Sequence, residues 1–251
     1  MKTFVKFTLV SLGILVGTVF SGPCHASETI LLFGSQDPGE VPQMEWLVLI
    51  YTEAFRRLGY EFQYDVYPLA RLTTMVEAGK IDGEIQRPME YQAFHPNLIR
   101  VDESPVSVRY GAFAVKPGVV LDGWHSLKNT TYIVEYRRGA SRSQDELTAV
   151  VAPENLSVIE TTEQGLRRLI TGRTDVFVDL EHNITNTLNQ KKLRGFDTSA
   201  IYQAGLMQET PMYAYLNKKR ADLALKVAAV LKAMKHEGVI ERYRKIALGD
   251  K

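Results

Sequence analysis

Two segments far apart in the chain follow one plan. Leu72 to Ile85 (LTTMVEAGKIDGEI) gives a short helix, Gly79 where a left-handed cap is wanted, a basic residue, and Asp82 leading into an apolar strand. Leu166 to Val178 (LRRLITGRTDVFV) repeats that order through Gly172, Arg173 and Asp175. Apolar side chains stand at matching offsets, Leu72, Met75 and Val76 in one copy, Leu166, Leu169 and Ile170 in the other. A single helix–glycine–strand joint is common in α/β layers. Two copies with extended chain between them predict two α/β units, each with its own small sheet.

The flanking segments fit that prediction. Residues 28–33 (ETILLF) read as a strand and 34–39 as a turn-rich loop. Leu47, Ile50, Tyr51, Ala54, Phe55 and Leu58 then recur with a 3.6-residue period, a helix that Gly59 caps. Residues 61–67 (EFQYDVY) alternate like a strand. Long extended stretches follow at 105–115 and 200–216, with about one domain of chain between them in αβ order. After the second stretch only helical patterns remain, Ala221 to Lys235 and Val239 to Ile246. A tail without a strand of its own is expected to return to the first unit. The predicted division is a first lobe from 27–108 and 209–251, a second from 109–208, two strands crossing between them, and a cleft at the crossing.

The first 26 residues stand apart. Lys2 and Lys6 precede Phe7 to Phe20, 14 residues without a charge, and a helix-breaking Ser21-Gly22-Pro23 leads to Ala26. That is the pattern of a secretory signal peptide cleaved after Ala26, which places the protein in the periplasm. A membrane anchor needs about 20 apolar residues. Lipid attachment at Cys24 suits a preceding proline poorly.

Charge and cysteine content exclude other classes. Thirty basic residues face 29 acidic ones, scattered rather than bunched, so the chain lacks the cationic surface that holds nucleic acid. Cys24 is the only cysteine, and cleavage removes it. The mature chain then has no disulfide framework, thiol nucleophile or cysteine metal site. His95, His125, His182 and His236 show no metal-ligand spacing, and phosphate-loop, dinucleotide and nucleophile-elbow patterns are missing. No cofactor or metal is implied.

Several runs taken in order resemble the periplasmic solute-binding proteins of the polar amino-acid type (family 3). They are GKIDGEIQR (79–87), PNLIRVDESPV (96–106), EYRRGAS (135–141), GRTDVFVD (172–179) and AMKHEGVIERY (233–243). The resemblance covers Glu28 to Leu248. It implies a two-lobed periplasmic-binding-protein-like (type II) α/β fold with two crossing hinge strands, a monomer closing on a small polar solute and handing it to an ABC permease or a membrane receptor. It further implies that Asp179 takes the ligand's amino group and that Gly139 to Ser141 offer backbone N–H groups to a carboxylate at a helix start. The family's first-lobe arginine comes in a helix that here, at Pro88 to Pro96, contains no arginine. Arg87, at the strand's end, replaces it, with Arg71 from the preceding helix.

Plainer roles compete at each position. Arg71 near a helix start meets an unfavourable dipole, which calls for a partner such as Glu84 or a ligand. On a regular strand Glu84 and Arg87 face opposite sides. Asp179 also suits a helix N-cap, one of Arg137 and Arg138 points to solvent, and Trp46 and Tyr136 suit a core as well as a ligand. The expected function is solute binding in a cleft. The alternatives are a cyclohexadienyl-dehydratase-like enzyme, with Asp179 or Glu84 as acid or base, and a stand-alone periplasmic sensor subunit.

Overall fold

The apolar periodicities become layers in a computed structural model of the chain, which describes residues 29–34, 41–190 and 193–249. The segment expected to be a signal peptide and the loop at 35–40 lie outside the described residues. The stripe Leu47, Ile50, Tyr51, Ala54 and Phe55 is the buried face of helix α1 (Pro42–Arg57). Strand β1 (Thr29–Gly34) pairs in parallel with β2 (Glu61–Val66) on one side and with β3 (Gly83–Arg87) on the other. Helix α2 (Leu69–Glu77) connects β2 to β3. These three strands form the first sheet, with the short β4 (Leu98–Arg100) on its far side.

Strand β5 (Val106–Ala114) leads into the second unit, where β6 (Val134–Arg137) lies parallel between β7 (Leu156–Ile159) and β8 (Val176–Leu180). Helices α3 (Ser141–Val150), α4 (Thr162–Ile170) and α5 (Glu181–Asn189) cover this sheet. Strand β9 (Tyr202–Asn217) then returns, pairing antiparallel with β5 along most of its length and with β3 and β4 at its end. The full order is β2-β1-β3-β9-β5-β8-β6-β7. Both β5 and β9 run from one sheet to the other.

The repeated joints close in the same way. Gly79 (φ +64) and Gly172 (φ +70) adopt the left-handed conformation after α2 and α4. Lys80 N–H reaches back to Met75 O at 3.0 Å, and Arg173 N–H to Arg168 O at 2.9 Å. This is the Schellman closure that glycine makes accessible. Helices α6 (Ala221–His236) and α7 (Val239–Leu248) pack Leu223, Val227, Leu231, Met234 and Ile240 into one cluster with Ile30, Leu47, Phe55, Ile85 and Leu216. The second sheet has a cluster on each face, one around Val134, Leu147 and Val176, the other around Leu166, Leu169 and Phe177.

The crossing ribbon tolerates little added volume. A Cβ on Gly205 of β9 would stand 2.0 Å from Leu121 O, a backbone atom with no freedom to rotate away. Its register against β5 already shifts between Tyr110 and Gly111 and between Ala112 and Phe113. Gly205→Ala is therefore expected to destabilise the protein by about 1–3 kcal/mol through overpacking. A thermal melt checks this, since each kcal/mol moves Tm by about 2–4 °C in a chain of this size.

Candidate functional site

The pairing registers aim two strand ends at each other. Strand β3 runs against β9 and ends with Arg87 opposite Tyr213. Strand β8 runs against β5 and ends with Leu180 opposite Tyr110, which itself pairs with Gln208 of β9. Tyr213 and Gln208 are five residues apart, at most about 17 Å of extended chain. Ligands on open α/β sheets gather outside the carboxyl ends of the parallel strands, and here two such ends share one gap.

At the first end, the regular-strand expectation fails. Gln86 sits at φ +65, a left-handed conformation rare outside glycine, and the β3–β9 register shifts between Glu84 and Arg87. This bulge turns both side chains to one side. Arg87 Nε donates to Glu84 Oε2 at 2.9 Å, and Nη2 lies 2.7 Å from the same oxygen. Glu84 is wholly buried and the Arg87 side chain is 11% exposed. The guanidinium rests 5.4 Å from the centre of the Tyr91 ring. Burial pushes the Tyr91 phenol up to about 12, and its hydroxyl lies 2.9 Å from Thr73 Oγ1.

At the second end, Asp179 is wholly enclosed. Its Oδ1 accepts from Leu180 N–H at 2.8 Å and Asn183 Nδ2 at 2.9 Å. Its Oδ2 accepts from Thr162 Oγ1 at 2.6 Å, with Arg137 Nε at 3.4 Å. The carboxylate expected to meet an ammonium is thus surrounded by the protein's own donors. Nor does it cap α5 in the usual way, since Leu180 occupies the N-cap position without a side-chain bond. The neighbouring arginines separate: Arg138 pairs with Glu160 in solvent, while Arg137 turns inward to Asp179.

The remaining expected residues lie nearby but reach less far in. Gly139 (φ +82) and Ser141 are exposed at the start of α3, which has no side-chain cap. Arg142, in the first turn of α3, lies 3.9 Å from Glu90 in the 3₁₀ turn Met89–Phe94, a contact that joins the two lips of the gap. Arg71 is exposed on α2, its guanidinium 5.1 Å from the Tyr67 ring centre, while Glu84 is held by Arg87. Tyr136 is core, and Trp46 donates to Ile240 O at 2.9 Å. Sequence reasoning missed Arg142 and Tyr91. Arg142's place in the first turn of the helix that follows Gly139 was a usable signal; nothing in the sequence marked Tyr91.

A cavity of about 720 Å3 opens where α1, α5 and α7 meet the crossing strands, lined by Gln43, Trp46, Ser107, His182, Asn186 and others. None of the six expected site residues lines it. The facing strand ends are the candidate preferred here, because the carboxyl ends of parallel strands from both sheets open onto one gap there and Arg142 meets Glu90 across it. Among the described residues no group of three or more His, Cys, Asp or Glu side chains is placed to hold a metal ion.

Two predictions follow from these environments. Arg87→Ala strips a buried carboxylate of its partner, and the expected loss is about 3–5 kcal/mol. Denaturant melts of Arg87→Ala and of Glu84→Gln/Arg87→Met test this, with the double variant recovering much of the loss. Burial also pushes the His182 imidazole down to about 4, opposed in part by the charge of Asp179. Below its ordinary value near 6.5 the unfolded chain takes up a proton that folded His182 refuses. Stability is therefore lost as pH falls from about 6.5 towards 4, and His182→Gln is expected to flatten that slope in pH-dependent melts.

No family model matches the chain. An uncharacterized protein of Shewanella oneidensis is 31% identical over 256 residues, with 96% of each chain covered. Among solved structures, a probable amino-acid ABC transporter extracellular-binding protein, YtmK from Bacillus subtilis, aligns with a TM-score of 0.62 at 15% identity, over 90% of this chain and 99% of that one. A histidine kinase sensor domain with similarity to periplasmic binding proteins aligns with a TM-score of 0.57 at 15% identity, over 89% and 97%.

Proposed function

We propose that this chain, which belongs to the family of the Shewanella oneidensis protein and has the two-lobed periplasmic-binding-protein fold, is an exported solute-binding protein that closes on a small carboxylate-bearing solute of amino-acid size. The first lobe comprises 27–108 and 209–251, the second 109–208, and a signal peptide ending at Ala26 directs export to the periplasm. Arg71, Glu84 and Arg87 serve from the first lobe, and Gly139, Ser141 and Asp179 from the second. The protein works as a monomer and delivers its solute to an ABC permease.

The observation that carries this reading is the pair of opposed strand ends, where a guanidinium lies against a buried carboxylate on each side: Arg87 bonded to Glu84, and Arg137 of β6 at 3.4 Å from Asp179. Ligand contacts drawn from both lobes stabilise the closed arrangement more than the open one, and that difference drives the shift in population. Glu84 and Asp179, the carboxylates that a dehydratase-like activity would use as acid or base, are both enclosed and already paired, which supports binding over turnover. The likeness to a histidine kinase sensor domain favours one second reading, a sensor subunit that docks on a membrane receptor.

A thermal-shift panel of amino acids, dicarboxylates and polyamines tests the proposal. At least one compound is expected to raise Tm by several degrees, because a ligand that binds only the folded form stabilises it by mass action. A panel in which nothing shifts Tm contradicts solute binding. Copurification with a permease, as against a receptor kinase, separates delivery from sensing.

A further inference from the structure

We infer that the cleft is built for a solute carrying two carboxylates and no ammonium, with Asp179 and Glu84 as positioning residues behind the arginines that grip it. The inference rests on the solute-binding reading and adds the ligand's chemistry.

The argument starts from what each lobe turns towards the gap. Glu84 and Asp179 are wholly buried, whereas the side chains of Arg137 and Arg142 are 30% and 39% exposed and Arg71 lies at the surface. A ligand therefore meets guanidinium forks, with the carboxylates standing behind them. An ammonium gains most from an exposed, under-coordinated carboxylate. Asp179 offers none, since its oxygens already take donors from Thr162, Leu180 and Asn183, with Arg137 at 3.4 Å. Glu84 Oε2 is held by Arg87, while its Oε1 takes no hydrogen bond but is buried, so neither oxygen is exposed to the gap. The acid that reaches across the gap, Glu90, faces Arg142 at 3.9 Å, and Glu146 holds the same arginine at 3.2 Å.

At both ends an arginine lies against a buried carboxylate, bonded at 2.9 Å in Arg87–Glu84 and at a looser 3.4 Å in Arg137–Asp179. Guanidinium forks match carboxylates in shape and charge, and holding them in place beforehand lowers the entropy lost on binding. One fork group per lobe suits a ligand with an anionic group at each end. Such a ligand also joins the lobes, so the contacts that select it are the ones that close the cleft.

Isothermal titration calorimetry on the purified protein, with succinate, glutarate, L-glutamine, L-arginine and putrescine as probes, tests the inference. A dicarboxylate is expected to bind at least tenfold more tightly than any ammonium-bearing probe. Arg137→Gln should cut that affinity at least tenfold, and Arg137→Lys should restore part of it. Asp179→Asn separates positioning from mere structure. It should narrow the preference for the dicarboxylate over monoanionic butyrate, whereas a purely structural role lowers Tm and leaves the ratio intact. Tighter binding of L-glutamine, L-arginine or putrescine overturns the inference and leaves solute binding standing. Binding of no probe, together with a flat thermal-shift panel, overturns both.

Discussion

The site depends on two carboxylates that the fold hides behind arginines. Removing a carboxylate from water costs several kcal/mol even after relaxation, and a single partner seldom repays it. Glu84 and Asp179 are both wholly buried, so each needs charge and hydrogen bonds from its surroundings. Asp179 obtains them from a backbone N–H, a hydroxyl, an amide and Arg137. Glu84 draws mainly on Arg87, which explains why a bulge and a left-handed Gln86 persist at that strand end. Local backbone strain of order 1–3 kcal/mol is tolerated where the alternative is an unpaired buried charge.

In the proposed closure the crossing ribbon is the hinge. Strands β5 and β9 share a ladder along which register shifts twice, and each lobe packs its own apolar clusters onto its own stretch of that ribbon. Bending between those stretches would move two packed bodies with little exposure of either core. The Arg142–Glu90 contact at 3.9 Å is an exposed pair of little energetic weight, so it can yield when the lobes move.

Much of the fold was legible in the sequence because it rests on short-range signals. The apolar stripe of α1, the two glycine-capped joints and the strandless tail each follow from periodicity and backbone preference. The site was legible only in outline. Arg87 and Glu84 read as opposed on an ideal strand, and only the bulge at Gln86, which no residue pattern announces, brings them together. Asp179 was singled out by likeness to a family, but its enclosure depends on Thr162 and Asn183 arriving from α4 and α5. Which of Arg137 and Arg138 turns inward depends on the neighbouring strand: Arg138 N–H bonds to Ile159 O and its side chain goes out to Glu160. Such long-range contacts leave no trace in a local pattern.

The central claim is that the two strand ends close on a shared ligand, and a distance across the gap tests it most directly. Gln92 and Asp145 are exposed on opposite lips, and Cys24 is the only cysteine in the chain. Spin labels on Gln92→Cys and Asp145→Cys, with Cys24 replaced by serine, report the separation by pulsed electron resonance. The account predicts a distance distribution that narrows and shortens when saturating dicarboxylate is added. A distribution that stays the same with a compound that demonstrably binds would contradict it.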